Sequence, residues 1–161
     1  MQPKQRVYLN EYNLVHDNAA YLPLVSGCLH AYSREIPAVL AGYEFAPYLF
    51  KADLPKNLLA KIDRPDVAAF SLYSWSANLS LNIAREIKDH HPNCLTVFGG
   101  GSVPHHPTKF MEEHPFIDVC VRGEGELTFA ELLVRNLSSR DFSGIPRLSW
   151  RNGSTITVNN G

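Results

Sequence analysis

Cysteine is scarce. The chain has three, Cys28, Cys94 and Cys120, odd in number and far apart, which excludes a disulfide framework or a zinc ribbon. They read as reduced core thiols, since a free cysteine is usually buried as a small hydrophobe. Excess charge is also missing: 15 Lys and Arg against 16 Asp and Glu leave a net charge of −1, with no basic block and no acidic tail. That balance argues against binding driven by attraction to nucleic acid or to an anionic membrane. No apolar run approaches the ~20 residues needed to span a bilayer. The opening stretch, MQPKQRVYLNEYN, carries no secretory signal. No internal repeat or low-complexity segment is present. The expectation is a soluble cytoplasmic domain with neither nucleic acid nor membrane as a partner.

What is present suits one ordinary globular domain: 161 residues, 45% apolar and 19% charged. Short apolar runs alternate with segments of helical period, the pattern of a parallel sheet wrapped by helices. Strands are expected at Arg6–Tyr12, Tyr43–Phe50, Asp66–Tyr73, Cys94–Phe98 and Ile117–Val121. Pro47 cannot donate to a ladder, so the second strand belongs at an edge. Asp66–Tyr73 is almost continuously apolar, as a strand covered on both faces would be. Helices are expected with Leu22, Val25, Leu29 and Tyr32 on one face, as a short turn near Pro37, over Leu54–Ile62, around Leu79, Ile83 and Ile87, over Pro107–His114 and over Leu127–Leu137. The fold class is α/β: a flavodoxin-like, doubly wound, five-stranded parallel sheet of order 2-1-3-4-5. A C-terminal β-hairpin follows, with Asn152-Gly153 as its turn.

In such a sheet, ligands bind beyond the carboxyl ends of the strands, near the point where strand order reverses. That edge comprises Asn10–Asn18, Ser71–Asn78, Gly99–His106 and Arg122–Glu126. Ser71, Ser74 and Ser76 bring hydroxyls to it, one of Ser74 and Ser76 serving to cap a helix, and Trp75 offers a flat wall for a ring system. Gly99-Gly100-Gly101 permits an approach that no side chain blocks. Pro104 rules out a dinucleotide G-x-G-x-x-G. Gly123-Glu124-Gly125-Glu126 opens the last helix; its acids complement the helix dipole and would repel phosphate, suiting amide or hydroxyl donors instead.

The remaining polar residues carry less. His90-His91 end a helix, and His105-His106 lack the three or four converging ligands of a metal site, so neither a metal site nor a catalytic residue is assigned. A phosphoacceptor receiver needs an Asp ending the third strand, where Ser71–Ser74 stand. FMN binding needs a hydroxyl-rich loop after the first strand, and Asn13–Ala20 is not one.

Three stretches taken together, S-L-Y-S-W, V-F-G-G-G-S-V-P and F-I-D-V-C-V-R-G-E-G-E-L-T-F, resemble the cobalamin-binding domain found in front of radical-SAM domains, as in Mg-protoporphyrin ester cyclase and methyltransferase-like proteins. The likeness runs from about Val7 to Val158. It implies that Ser71 and Tyr73 border the nucleotide tail and that Gly99, Gly100 and Gly101 let the dimethylbenzimidazole pass between strands. Trp75 and Asn78 would lie near the corrin, while Gly123 and Glu124 would meet ribose or corrin amides. With Asn10, Tyr12, Ser74, Ser102, Val103, Gly125 and Glu126 on the same edge, these residues form the candidate cofactor-binding set. The methionine-synthase-like branch places D-x-H-x-x-G after its first strand. This chain reads N-L-V-H-D-N there, and His16 is in the wrong context. The resemblance therefore implies base-off cobalamin without a protein histidine under the metal, the lower face being left to residues such as Trp75.

No C-x-x-x-C-x-x-C occurs, so this chain is not expected to hold an iron–sulfur cluster. Residues 1–144 are expected to form the cobalamin domain, and 145–161 a hairpin leading to an absent catalytic domain. The implied parent joins this module to a C-terminal radical-SAM domain, which uses S-adenosylmethionine and an iron–sulfur cluster on a small-molecule substrate in methyl transfer or oxidative cyclisation. The rival reading is a degenerate domain without cofactor, an interdomain or substrate-recognition surface. An open groove between the third and fourth strands would separate the two.

Overall fold

A computed structural model describes residues 3–17 and 19–160. Strand β1 is Gln5–Asn13; a two-stranded ribbon follows, β2 Val15–His16 and β3 Ala19–Ala20. Helices α1 Leu24–Ser33 and α2 Pro37–Gly42 lead to β4 Tyr43–Phe45, β5 Leu49–Lys51 and α3 Pro55–Leu59. Then β6 Val67–Ser71, α4 Ala77–His90, β7 Leu95–Gly99, α5 Thr108–Glu113, β8 Val119–Val121 and α6 Glu126–Asn136 alternate, before β9 Leu148–Asn152 and β10 Thr155–Val158. The sheet runs β10-β9-β8-β7-β6-β1-β4, with β5 also on β1. All pairings from β4 and β5 through β8 are parallel, so the expected order 2-1-3-4-5 is present within a longer sheet.

Three differences from the sequence expectation have physical causes. The second strand is divided: β4 pairs Gln5–Val7 and β5 pairs Asn10 and Asn13, with Pro47 between them unable to donate. The terminal hairpin joins the sheet, β9 pairing antiparallel with β8, and its Phe142, Ile145, Leu148 and Trp150 flank share a core cluster with β1, β6 and β7. Its two-residue turn is Gly153-Ser154, because Asn152 pairs with Thr155; Gly153 has φ +60° and Ser154 does not have positive φ, the pattern of a type II′ turn. Finally, α1 begins only at Leu24, after Pro23, leaving Leu22 outside it and exposed. The helix buries Ser26 and Ser33 rather than Tyr32.

Period-two alternation splits the core into two halves. Val7, Leu9, Val67, Ala69, Val97 and Val121 face α2 and α6, whereas Tyr8, Tyr12, Phe70, Phe98 and Cys120 face α3, α4 and α5. Helix α4 presents Ser80, Ile83, Ala84 and Ile87 to the second half at helical spacing. At the base of the sheet the Asp118 carboxylate accepts the Lys88 ammonium at 2.6 Å and the Thr96 N–H at 2.8 Å, tying α4, β7 and the entry to β8 together. Lys88 also donates to the Cys94 carbonyl at 2.7 Å. Cys94 and Cys120 are buried, and burial pushes each thiol up to about 12. Cys28 corrects the expectation of three core thiols: it lies on the outer side of α1 and is exposed. No helix among the described residues is long and apolar enough to cross a membrane.

Replacing Asp118 with Ala strands a half-buried ammonium and a buried amide. Urea unfolding should show a loss of about 2–3 kcal/mol; a change under ~0.5 kcal/mol would remove the hub from the account. Thiols held protonated to about pH 12 do not alkylate at pH 8. Maleimide should therefore modify Cys28 alone in the native protein and all three cysteines after denaturation, counted by intact mass.

Candidate functional site

The parallel strands bring side chains into rows. Leu9, Ala69, Val97 and Val119 lie side by side across β1, β6, β7 and β8. One pleat nearer the carboxyl edge, Ser71 lies beside Gly99, with Val121 next to it on β8. On most sheet faces both rows would be filled by branched side chains. Here β6 and β7 contribute Ala69, Ser71 and Gly99, and helices α1 and α6 do not close the gap. The result is a cavity of about 290 Å³ opening at the carboxyl edge. Its floor is Leu9, Ala69 and Val97; its walls are Val25, Ser26 and Leu29 of α1 and Phe129 of α6. The rim is Ser71, Tyr73, Gly99–Gly101 and Gly123–Glu126.

Gly99 and Gly100 serve different ends. Gly100 has φ +102°, and a Cβ there would lie 3.0 Å from the Leu72 carbonyl oxygen and 3.1 Å from its nitrogen, so backbone packing demands glycine. The loops after β6 and β7 are locked by Leu72 N–H to Gly99 O at 2.6 Å and Ser102 N–H to Leu72 O at 3.1 Å. At Gly99 no atom would come closer than 3.9 Å to an added Cβ, and the backbone is unstrained. Its missing side chain leaves space in the cavity and answers no need of the protein's own packing.

Behind α1 lies a buried carboxylate. Glu11, 5% exposed, accepts the Ser26 N–H at 2.8 Å and the Ser26 hydroxyl at 3.0 Å, fixing the first turn of α1 against β1. This is the charge that complements the α1 dipole, and it comes from a neighbouring strand. Asn10 borders the cavity, but its amide is committed: it donates to Ala69 O at 3.1 Å and Tyr8 O at 3.4 Å, and accepts the Tyr12 hydroxyl at 3.0 Å. Tyr12 lies in the opposite core half, where burial raises its phenol.

Of the candidate set, Asn10, Ser71, Tyr73, Gly99, Gly100, Gly101, Gly123, Glu124, Gly125 and Glu126 line the cavity. Tyr12, Ser74, Trp75, Asn78, Ser102 and Val103 do not. Ser74, Asn78 and Ser102 are exposed on the carboxyl edge, and Val103 packs on the core beside α4 and α5. Trp75, 53% exposed, stacks flat on Tyr73 at 4.7 Å between centroids and 2° between planes, so an aromatic shelf flanks the mouth. Neither ring fills the cavity over β6 and β7, which is open at the carboxyl edge. Ser76 occupies the N-cap of α4 but makes no capping bond; its hydroxyl accepts the Tyr73 N–H at 3.3 Å. Of the Asn10–Asn18 segment, Asn18 lies outside the described residues, as does the side chain of His16. Among the described residues, no three His, Cys, Asp or Glu side chains converge as metal ligands.

Sequence reasoning passed over the floor and the helix walls. Ala69, small and followed two residues on by Ser71 on the same face of a central strand, was the legible signal for the floor. Ser26 on the inner face of α1 was the signal for the Glu11 contact.

A family model described as "B12 binding domain" matches residues 26–133. Over 135 residues the chain is 42% identical to a 2-(S-pantetheinyl)-carbapenam-3-carboxylate methyltransferase of Streptantibioticus cattleyicolor, covering 83% of this chain and 20% of that one. Over 153 residues it is 37% identical to the cobalamin-dependent radical SAM methyltransferase TokK of Streptomyces tokunonensis, covering 94% and 21%. The radical S-adenosylmethionine methyltransferase TsrM of Kitasatospora setae, solved with cobalamin and a [4Fe-4S] cluster, superposes with a TM-score of 0.73 at 22% identity, over 98% of this chain and 31% of TsrM. That likeness is one of fold. The chain thus spans about a fifth of the length of the curated relatives it matches. With the open cavity at its carboxyl edge, this chain belongs to the B12 binding domain family and is a B12-binding module homologous to those of cobalamin-dependent radical-SAM methyltransferases.

Proposed function

We propose that the protein holds cobalamin base-off, with the nucleotide tail in the cavity between the sheet and helices α1 and α6. The observation that carries this reading is Gly99, whose absent side chain enlarges a cavity already hollowed by Ala69 and Ser71. At about 290 Å³ the cavity sits near the lower limit for small-molecule sites, so it suits one arm of a corrinoid and leaves the ring outside. An apolar floor fits an aromatic base. The rim of backbone amides, the Ser71 hydroxyl and the Glu124 and Glu126 carboxylates fits ribose hydroxyls and neutral corrin amides. Glu11 and Ser26 hold α1 in place and so keep the wall standing.

The corrin would lie over the carboxyl edge, with Trp75 and Asn78 near its lower face and no histidine beneath the metal. Ser74, Ser102 and Val103 would border it from the loops. Bound cobalamin supplies a cobalt-centred carrier of a methyl group or an electron. Around the same edge Leu14, Tyr21, Leu22, Leu24, Trp75 and Leu127 are large, apolar and exposed, a surface of the kind that marks an interaction site. It suits a C-terminal radical-SAM domain of the same polypeptide that brings S-adenosylmethionine, an iron–sulfur cluster and a small-molecule substrate. Methyl transfer is the parent reaction favoured by the two methyltransferase relatives, with oxidative cyclisation as the second reading, and the cytoplasm is its setting. Residues 1–144 would then be the module's body, with the 145–161 hairpin leading toward the catalytic domain.

Anaerobic reconstitution with hydroxocobalamin, desalting and an absorption spectrum test the assignment. Near-stoichiometric cobalamin with a base-off spectrum is expected; a corrinoid-free eluate overturns it. Ala69→Leu overfills the cavity floor. It should weaken retention at least roughly tenfold while leaving the far-UV circular dichroism unchanged, since overpacking costs about 1–3 kcal/mol. Undiminished retention would place the tail elsewhere.

A further inference from the structure

We propose that the cavity also selects the lower base of the corrinoid, accepting an alkylated benzimidazole nucleotide and disfavouring a purine; the inference rests on the cobalamin reading above. Apart from Ser26, the floor and helix walls presented to a base are Leu9, Val25, Leu29, Ala69, Val97 and Phe129, all hydrocarbon. Polar side chains do come near, but the donor protons of Asn10 and Ser26 are spent within the protein. Asn10 gives its amide protons to the Ala69 and Tyr8 carbonyls and takes the Tyr12 hydroxyl. Ser26 gives both its N–H and its hydroxyl proton to Glu11. The Ser71 hydroxyl, beside Gly99, stands one pleat above the floor, and Glu124 and Glu126 belong to the rim loop.

A dimethylbenzimidazole turns a methylated hydrocarbon edge toward that floor and gains contact along it. An adenine turns an amino group and ring nitrogens toward the same atoms. The ring nitrogens, which need donors, would be stripped of water without receiving one, which is the costly case for a buried polar group. Specificity then arises as it does in any apolar pocket that offers no hydrogen bond in return: by penalty on the wrong ligand as much as by gain on the right one.

The test is equilibrium dialysis of the protein against three corrinoids under identical anaerobic conditions: hydroxocobalamin, its adenine-based counterpart, and cobinamide, which has no nucleotide tail. Adenine leaves cobalt more readily than dimethylbenzimidazole, so the comparison is biased against the proposal. Hydroxocobalamin should nevertheless bind at least tenfold more tightly than the adenine form, and cobinamide should bind more weakly than hydroxocobalamin. Equal affinity for the two complete corrinoids overturns the selectivity and leaves cobalamin binding intact. Cobinamide equal to hydroxocobalamin shows that the tail contributes nothing and overturns it as well. Failure to bind any of the three instead defeats the cobalamin assignment, and the selectivity with it.

Discussion

The structure depends on an asymmetry between the two faces of its central strands. Along β6, the residues turned toward α4 and α5 include Phe70, which stacks on Phe98 of β7 with centroids 5.0 Å apart. Beyond Val67, the residues turned toward α1 and α6 are Ala69 and Ser71, beside Val97 and Gly99. One face is therefore packed with rings and the other is left hollow, although both belong to the same short strands. Side-chain period two makes this possible, because each strand can serve two masters at alternate positions. It also makes the arrangement intolerant of slippage. A shift of one residue would turn Phe70 and Phe98 into the cavity and expose small residues to the dense half.

The hollow half needs a rigid surround, and polar groups supply part of it. The inner face of α1 carries Ser26 and Ser33, a poor choice for a packing helix judged by hydrophobicity alone. Ser26 is explained by Glu11, which reaches from β1 to the first turn and receives two hydrogen bonds. A carboxylate at 5% exposure is costly unless so engaged. The wall of the cavity is thus fixed by a directional contact, which keeps α1 from collapsing into the space as an all-apolar helix would. Tyr43 and Asn136 play the corresponding part at the other end of α6. The Tyr43 hydroxyl donates to Leu133 O at 2.9 Å, and the Asn136 amide donates to that hydroxyl at 2.9 Å.

How much of this was legible in the sequence follows from which forces act locally. The strand order and the alternation of elements were legible because hydrophobic period and turn residues are local signals. So was the place of Ser71, the glycine run and the G-E-G-E loop at the cavity, since each follows a strand at the carboxyl edge. The start of α1 is not legible, because apolar periodicity extends through Leu22, whereas Pro23 decides where the helix begins. Cys28 departs from the expectation for a related reason: the apolar stripe and the buried stripe of α1 do not coincide. The contributions of Leu9, Val25, Leu29 and Phe129 to the cavity were not legible. They read as ordinary core residues, and only the three-dimensional absence opposite them shows otherwise.

The two margins of the sheet carry a further consequence. On one side Pro47 interrupts the outermost lane between β4 and β5. On the other, β9 and β10 turn antiparallel beyond β8, so the last parallel strand is not left bare. A long parallel edge with open amides and carbonyls is a template on which another chain can add itself. Here one margin is too broken to serve and the other ends in a short antiparallel ribbon. A module that must keep a hollow interior cannot rely on core density to prevent association. Blunted margins give it resistance to strand-on-strand self-association that is independent of what fills the hollow.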